Sequence, residues 1–268
     1  MHAAALDRCD ADPVSRSTPW AGAGAGRPGV GAGALGVPPP GPGRCRICAG
    51  RAASGYSICI SCRTVAMVLG RPPVEVTPIC LVTASSPAYR ALREYKSAPH
   101  EVARRQASRL ADFVSTFAAR HLECAAPGGV DVTVVVPSGA GGRPPPHPLT
   151  RVAAAAALLP PVVAGLRAGP GTPGHRRPSP DAYHASEEVS DARVLLLDDV
   201  YTTGAHLQSA AAALLEAGAS SVRGLVVARY GARPYDARGG RAPAEVAGAA
   251  DPRPWRPERC MRCPLDPG

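Results

Sequence analysis

The sequence predicts an α/β protein built on a doubly wound, mostly parallel sheet. Three observations carry that prediction. Short runs such as Arg193 to Asp198 (RVLLLD) are continuously apolar, as strands covered on both faces must be. These runs alternate with stretches of helical periodicity, the rhythm of right-handed strand–helix–strand crossovers. One strand ends in two carboxylates, a small hydroxylated loop and a helix start, which in an open sheet is where ligands bind.

The elements follow in order. Residues 1–44 are rich in Gly, Pro and Ala and almost without large apolar side chains. Such a segment buries too little surface to offset its ordering entropy, so it is expected to be a disordered tail. Residues 45–72 are expected to form a small cysteine-bearing module. The main domain spans 78–230. Pro78 to Thr83 (PICLVT) is a strand and Ala88 to Lys96 a short helix. His100 to Leu122 is a long helix, because Leu110, Phe113, Val114, Phe117 and His121 recur on one face. Val130 to Pro137 is a buried strand, and Pro148 to Leu159 an Ala-rich helix with proline suited to its first turn. Arg193 to Asp198 is a strand, Thr203 to Ala217 a helix stopped by Gly218, and Val222 to Ala228 a strand. Residues 231–268 read as a loop-rich tail that carries one more cysteine pair.

Composition narrows the function classes. The formal charge is +9, from 30 basic and 21 acidic residues, and Lys96 is the single lysine. An arginine-for-lysine bias with abundant Ala, Gly and Pro is the signature of a GC-rich coding sequence, which weakens the basic charge as evidence for nucleic acid. Asp7, Asp10 and Asp12 stand near the start, without an apolar run of signal-peptide length. The stretch Val152 to Leu166 is too short for a membrane span and is broken by Pro160 and Pro161. No membrane partner is expected, and the location expected is cytoplasmic.

The nine cysteines support that reading. Cys45-x-x-Cys48 and Cys59-x-x-Cys62 are two knuckles separated by ten residues. Together they supply a tetrahedral thiolate set for a structural Zn²⁺, and a module with so little apolar content needs a metal to fold. A third pair, Cys260-x-x-Cys263, is surplus to one four-ligand site. It is unligated, ligates across a homodimer, or replaces one N-terminal pair. Cys80 and Cys124 read as packed thiols. His100, His121, His175 and His184 lack ligand spacing to one another and read as structural or exposed.

The segment Val194 to Ala205 (VLLLDDVYTTGA) is the most informative. The backbone N–H groups of Val200, Tyr201, Thr202, Thr203, Gly204 and Ala205, with the two threonine hydroxyls, suit a phosphate at a helix N-terminus. Gly204 would let the backbone approach the ligand closely. Asp198 and Asp199 add sites for sugar hydroxyls or the water shell of a cation. Lys96, as the one compact ammonium, is a candidate phosphate contact.

This pattern resembles the 5-phosphoribosyl 1-pyrophosphate (PRPP) loop of type I phosphoribosyltransferases. The resemblance continues through Ala217-Gly218-Ala219 and the following strand. It implies that Asp198 and Asp199 hold the ribose hydroxyls, that residues 200–205 hold the 5′-phosphate, and that Mg²⁺ accompanies PRPP. A cysteine ribbon ahead of such a domain is similar to the ComF family of competence-related proteins. Leu92 to Lys96 is similar to that family's early Leu-Lys-Tyr region, and Val134 to Pro137 to its Val-Pro strand. The family's Arg-Gly-Phe-Asn-Gln element has no counterpart in residues 138–147, where Ser138, Gly139 and Arg143 remain as candidate pyrophosphate contacts beside His147. His206 stands where the family commonly has Thr. The resemblance implies transfer of a phosphoribosyl group to an unidentified acceptor with release of pyrophosphate. The alternative is a non-catalytic protein that binds nucleotide and single-stranded DNA during uptake, against which the scarcity of aromatics weighs. No N-terminal glutaminase cysteine is legible, so a full amidophosphoribosyltransferase is not expected.

Overall fold

The computed structural model describes residues 30–31, 33–137, 147–231 and 253–263. Its strands in chain order are β1 (Val76–Val82), β2 (Val132–Val135), β3 (Val162–Val163), β4 (Leu166–Ala168), β5 (Tyr183–Ala185), β6 (Arg193–Tyr201) and β7 (Ser221–Tyr230). The helices are α1 (Ile60–Leu69), α2 (Pro87–Ser97), α3 (His100–Ala125), α4 (Pro148–Ala155) and α5 (Ala205–Glu216). Five strands form one sheet in the order β1-β7-β6-β2-β3, and every neighbouring pair is parallel. β4 and β5 form a separate antiparallel pair.

Period two divides the central strands between two cores. Leu195, Leu197, Leu225 and Val227 face α2, α3 and α4. Val194, Leu196, Val222 and Val226 face α5 and the cysteine module. The continuous apolar runs arise because both faces are covered. α5 is itself buried nearly all round, from Ala205 to Leu214, because it lies between the sheet and a second cover of α1 and the β4–β5 pair.

Several boundaries differ from the sequence reading. α4 ends at Ala155, and Leu158 then takes a left-handed φ of 70° ahead of the Pro160–Pro161 break. α5 begins at Ala205, with Gly204 as its N-cap. The end of the expected tail also belongs to the fold: Val30 and Ala34 are buried, and Leu35 pairs with Leu81 through two backbone hydrogen bonds of 2.8 and 3.0 Å. β1 is an edge strand, and this pairing caps backbone groups that would otherwise be open. Residues 253–263 are likewise packed. Trp255 N–H donates to the Ala34 carbonyl at 3.0 Å, and its ring lies 4.4 Å from Phe113. Among the described residues, no helix is long and apolar enough to cross a membrane.

Candidate functional site

A cleft of about 320 Å³ opens beyond the carboxyl end of β6, between β2 and the start of α5. β6 carries its apolar run to Leu197 and then delivers Asp198 and Asp199 to this edge. Both carboxylates line the cleft, with residues 200–207, Lys96, Val136, Pro137, His147 and His175.

The two aspartates are placed differently. Asp199 is buried, and its carboxylate is held on three sides. Tyr95 Oη–H donates to Oδ2 at 2.5 Å, Lys96 Nζ pairs with the same oxygen, and Val200 N–H donates to Oδ1 at 2.7 Å. Asp198 accepts the Asp199 N–H at 2.8 Å. Burial first, and then the neighbouring Asp199 carboxylate, push the Asp198 carboxyl up to about 7. Lys96, a candidate phosphate contact in the sequence reading, lines the cleft and is paired there to Asp199.

Next along the chain, Thr203 Oγ1 donates to the His175 carbonyl, which ties the loop to the segment between β4 and β5. Gly204 has φ 86°, a left-handed conformation that favours glycine, and α5 starts without a side-chain cap. The space that its missing side chain vacates belongs to Tyr201: a Cβ on Gly204 would run into that ring and hydroxyl. The sequence reading assigned the space to the ligand. The glycine serves the packing of a fully buried tyrosine.

Further side chains stand in or beside this lining. Tyr183 Oη lies 2.9 Å from His206 Nδ1. Burial pushes the tyrosine up and the imidazole down, so a neutral phenol and a neutral ring share this hydrogen bond. His147 caps α4 by accepting the Leu149 N–H at 3.1 Å. His175 and Tyr95 carry no local signal, because sequence segments far from β6 bring them in. Ser138, Gly139 and Arg143 lie outside the described residues. The flanking Pro137 and His147 both line the cleft.

Behind the loop sit Cys45, Cys48, Cys59 and Cys62, all buried, with their ligand atoms within 4.8 Å of one another. Their Sγ–Sγ separations include 3.6, 3.7 and 3.8 Å. A tetrahedral site with Zn–S bonds of about 2.3 Å has an edge of about 3.8 Å. Ala49 turns the first knuckle with a positive φ of 56°, and Cys59 starts α1 so that Cys62 falls in its first turn. The module does not stand alone: Val76 N–H donates to the Ile47 carbonyl at 2.8 Å, and the cysteines share a core with Tyr201 and Leu196. Cys80 is a packed thiol, donating to the Val227 carbonyl.

A parallel sheet of this order, with a strand–acid pair–loop–helix segment at its carboxyl edge, is consistent with the α/β fold of type I phosphoribosyltransferases. Residues 114–241 match the family model of the phosphoribosyl transferase domain, a little under half of the chain, running from within α3 past β7. Among solved structures, the chain is similar to one described as the allosteric regulatory enzyme of purine biosynthesis, at 18% identity and a TM-score of 0.34. That likeness covers 50% of this chain and 30% of the other, so this chain spans under a third of that protein's length. No curated protein matches the chain.

Proposed function

We propose that the protein binds PRPP in the cleft beyond β6 and transfers the phosphoribosyl group to an acceptor. The supporting observation is one juxtaposition: the Asp198 carboxylate and the uncapped start of α5 share a single cleft at the carboxyl edge of a parallel sheet. The N–H groups of residues 202–205 receive the 5′-phosphate, whose charge is favoured at a helix N-terminus. Asp198 accepts from the ribose hydroxyls. Asp199, held by Tyr95 and Lys96, is the positioning partner that fixes the turn.

The acceptor's lone pair forms the new bond to ribose C1 as the C1–O bond breaks, pyrophosphate leaves with that electron pair, and the acceptor releases one proton. The transition state is oxocarbenium-like, so the chain's task is to hold ribose and diphosphate in place and to exclude water. Ser138, Gly139 and Arg143 are proposed for the diphosphate, because the chain enters and leaves their segment at the cleft. Mg²⁺ neutralises diphosphate charge when bound. A zinc ion on Cys45, Cys48, Cys59 and Cys62 belongs to the same reading, supported by the tetrahedral sulfur spacing, and the ribbon ahead of the domain favours a ComF-like member.

Calorimetry of the full chain with PRPP and Mg²⁺ tests this. Wild type binds, and Asp198→Asn loses at least about tenfold in affinity while keeping inorganic phosphate binding. Pyrophosphate release with a panel of nucleobases then tests turnover. Absence of PRPP binding by wild type, or equal losses for PRPP and phosphate in the variant, overturns the assignment.

A further inference from the structure

The fold assembles a second ligand set that local spacing does not disclose. His121 and Cys124 lie three residues apart near the end of α3, where helical geometry puts them on one face. Cys260 and Cys263 come from the far end of the chain. The four ligand atoms lie within 4.8 Å of one another. The sequence reading did not bring these residues together: it took His121 as structural or exposed and Cys124 as a packed thiol, and it left the partner of the C-terminal pair open.

We propose that His121, Cys124, Cys260 and Cys263 form a second, tetrahedral zinc site that clamps the C-terminal segment onto α3.

The distances fit a metal better than a covalent link. Cys260 Sγ and Cys263 Sγ are 3.5 Å apart, and Cys263 Sγ is 3.5 Å from His121 Nδ1. Zn–S and Zn–N bonds of about 2.3 and 2.0 Å give tetrahedral edges of about 3.8 Å for S–S and about 3.5 Å for S–N.

The surroundings of the set fit as well. His121 is 1% exposed, and its Nε2 lies 2.9 Å from the Pro257 carbonyl. A carbonyl only accepts, so Nε2 carries the proton and Nδ1 turns its lone pair toward the thiols. That is the support which a metal-bound imidazole ordinarily receives. The Arg262 and Cys260 N–H groups reach Cys260 Sγ and Cys263 Sγ at 3.3 and 3.4 Å, orienting donors toward sulfurs that become thiolates. Three thiolates and one neutral imidazole select a soft, tetrahedral divalent ion, which is Zn²⁺.

The segment that the site would secure also carries Met261, fully buried, and Trp255 against Phe113. The inference is independent of PRPP, since the clamp lies in the α3 core and the ligand cleft lies at the β6 edge.

Metal analysis of the purified full chain tests it. We expect about two zinc ions per chain in wild type, and about one in Cys260→Ser/Cys263→Ser and in Cys45→Ser/Cys59→Ser. His121→Cys retains both ions. X-ray absorption of wild-type zinc reports on the same question without a variant that has to fold: two occupied sites average about seven sulfurs to one nitrogen. One zinc that is lost only with Cys260 and Cys263 also supports the clamp, while removing the ribbon ion. An all-sulfur shell, a zinc content indifferent to the C-terminal variant, or a Cys260–Cys263 disulfide in the native protein overturns the proposal.

Discussion

The two cysteine sets have related chemistry and different neighbours. Cys45, Cys48, Cys59 and Cys62 are all buried in the core on the α5 face, beside the last residue of β6. Arg229 stacks 5.2 Å from the Tyr201 ring and fills the space beside Gly50, while Tyr201 in turn fills the space beside Gly204. A continuous line of packed groups thus joins the ribbon to the ligand loop. Cys124, Cys260 and Cys263 are only partly buried, and with His121 they sit against α3 on the other core. The first set is built into the support of the site; the second fastens a chain end. Burial depth and the identity of the neighbours, more than ligand type, decide what each cluster does.

The largest expected effect breaks the first set. Cys45→Ser/Cys59→Ser should lower the melting temperature steeply and weaken PRPP binding together, because structural zinc contributes about 10–16 kcal/mol in small modules, comparable with a whole domain's stability. Circular-dichroism melts and calorimetry check this, and unchanged ligand affinity would separate ribbon from loop.

Gly204→Val cuts the line at its other end. It strains a left-handed residue and displaces Tyr201, so both stability, by about 2–4 kcal/mol, and the PRPP-induced thermal shift should fall. A variant with normal melting and a normal shift would mean that the line carries no load.

Cys260→Ser/Cys263→Ser should cost less, about 5–10 °C in melting temperature, with PRPP affinity within about twofold of wild type. Limited proteolysis should then cut the chain near 253–263 first. A large loss of ligand binding would erase the contrast between the sets.

The smallest effect concerns the loop alone. Asp198 is pushed up to about 7 by burial and Asp199, so the folded state holds its proton more tightly than the unfolded chain does. The resulting penalty is absent at about pH 4, grows as pH rises toward 7, and is constant above. Asp198→Asn removes it, and should melt a few degrees above wild type at pH 8 and level with it near pH 4. An equal difference at both pH values would mean that the carboxyl titrates normally.

How much was legible follows from the range of each signal. The strands around Val134, Leu196 and Val226 announced themselves because coverage on both faces demands uninterrupted apolar residues. The loop from Asp198 to Ala205 was legible because acid pair, hydroxyls, glycine and helix start are contiguous in the chain. The Cys45–Cys62 set was legible because its two knuckles lie within one short module. α1 was missed because it begins at Ile60, between the ligands Cys59 and Cys62, and is too short to display much periodicity. The β4–β5 pair was missed because three-residue strands carry almost no alternation.

By itself, then, the sequence determined the parallel α/β core, the acid–hydroxyl loop at its edge and the first cysteine set, since each is encoded in neighbouring residues. The tertiary structure alone decided that Tyr95 and Lys96 hold Asp199, that Tyr201 owns the space beside Gly204, and that Cys260 and Cys263 meet His121 and Cys124. Those pairings join residues that the chain separates by 100 positions or more, or depend on which way a buried ring turns. No local propensity records either; only the packing of β6 and α3 within one fold fixes them.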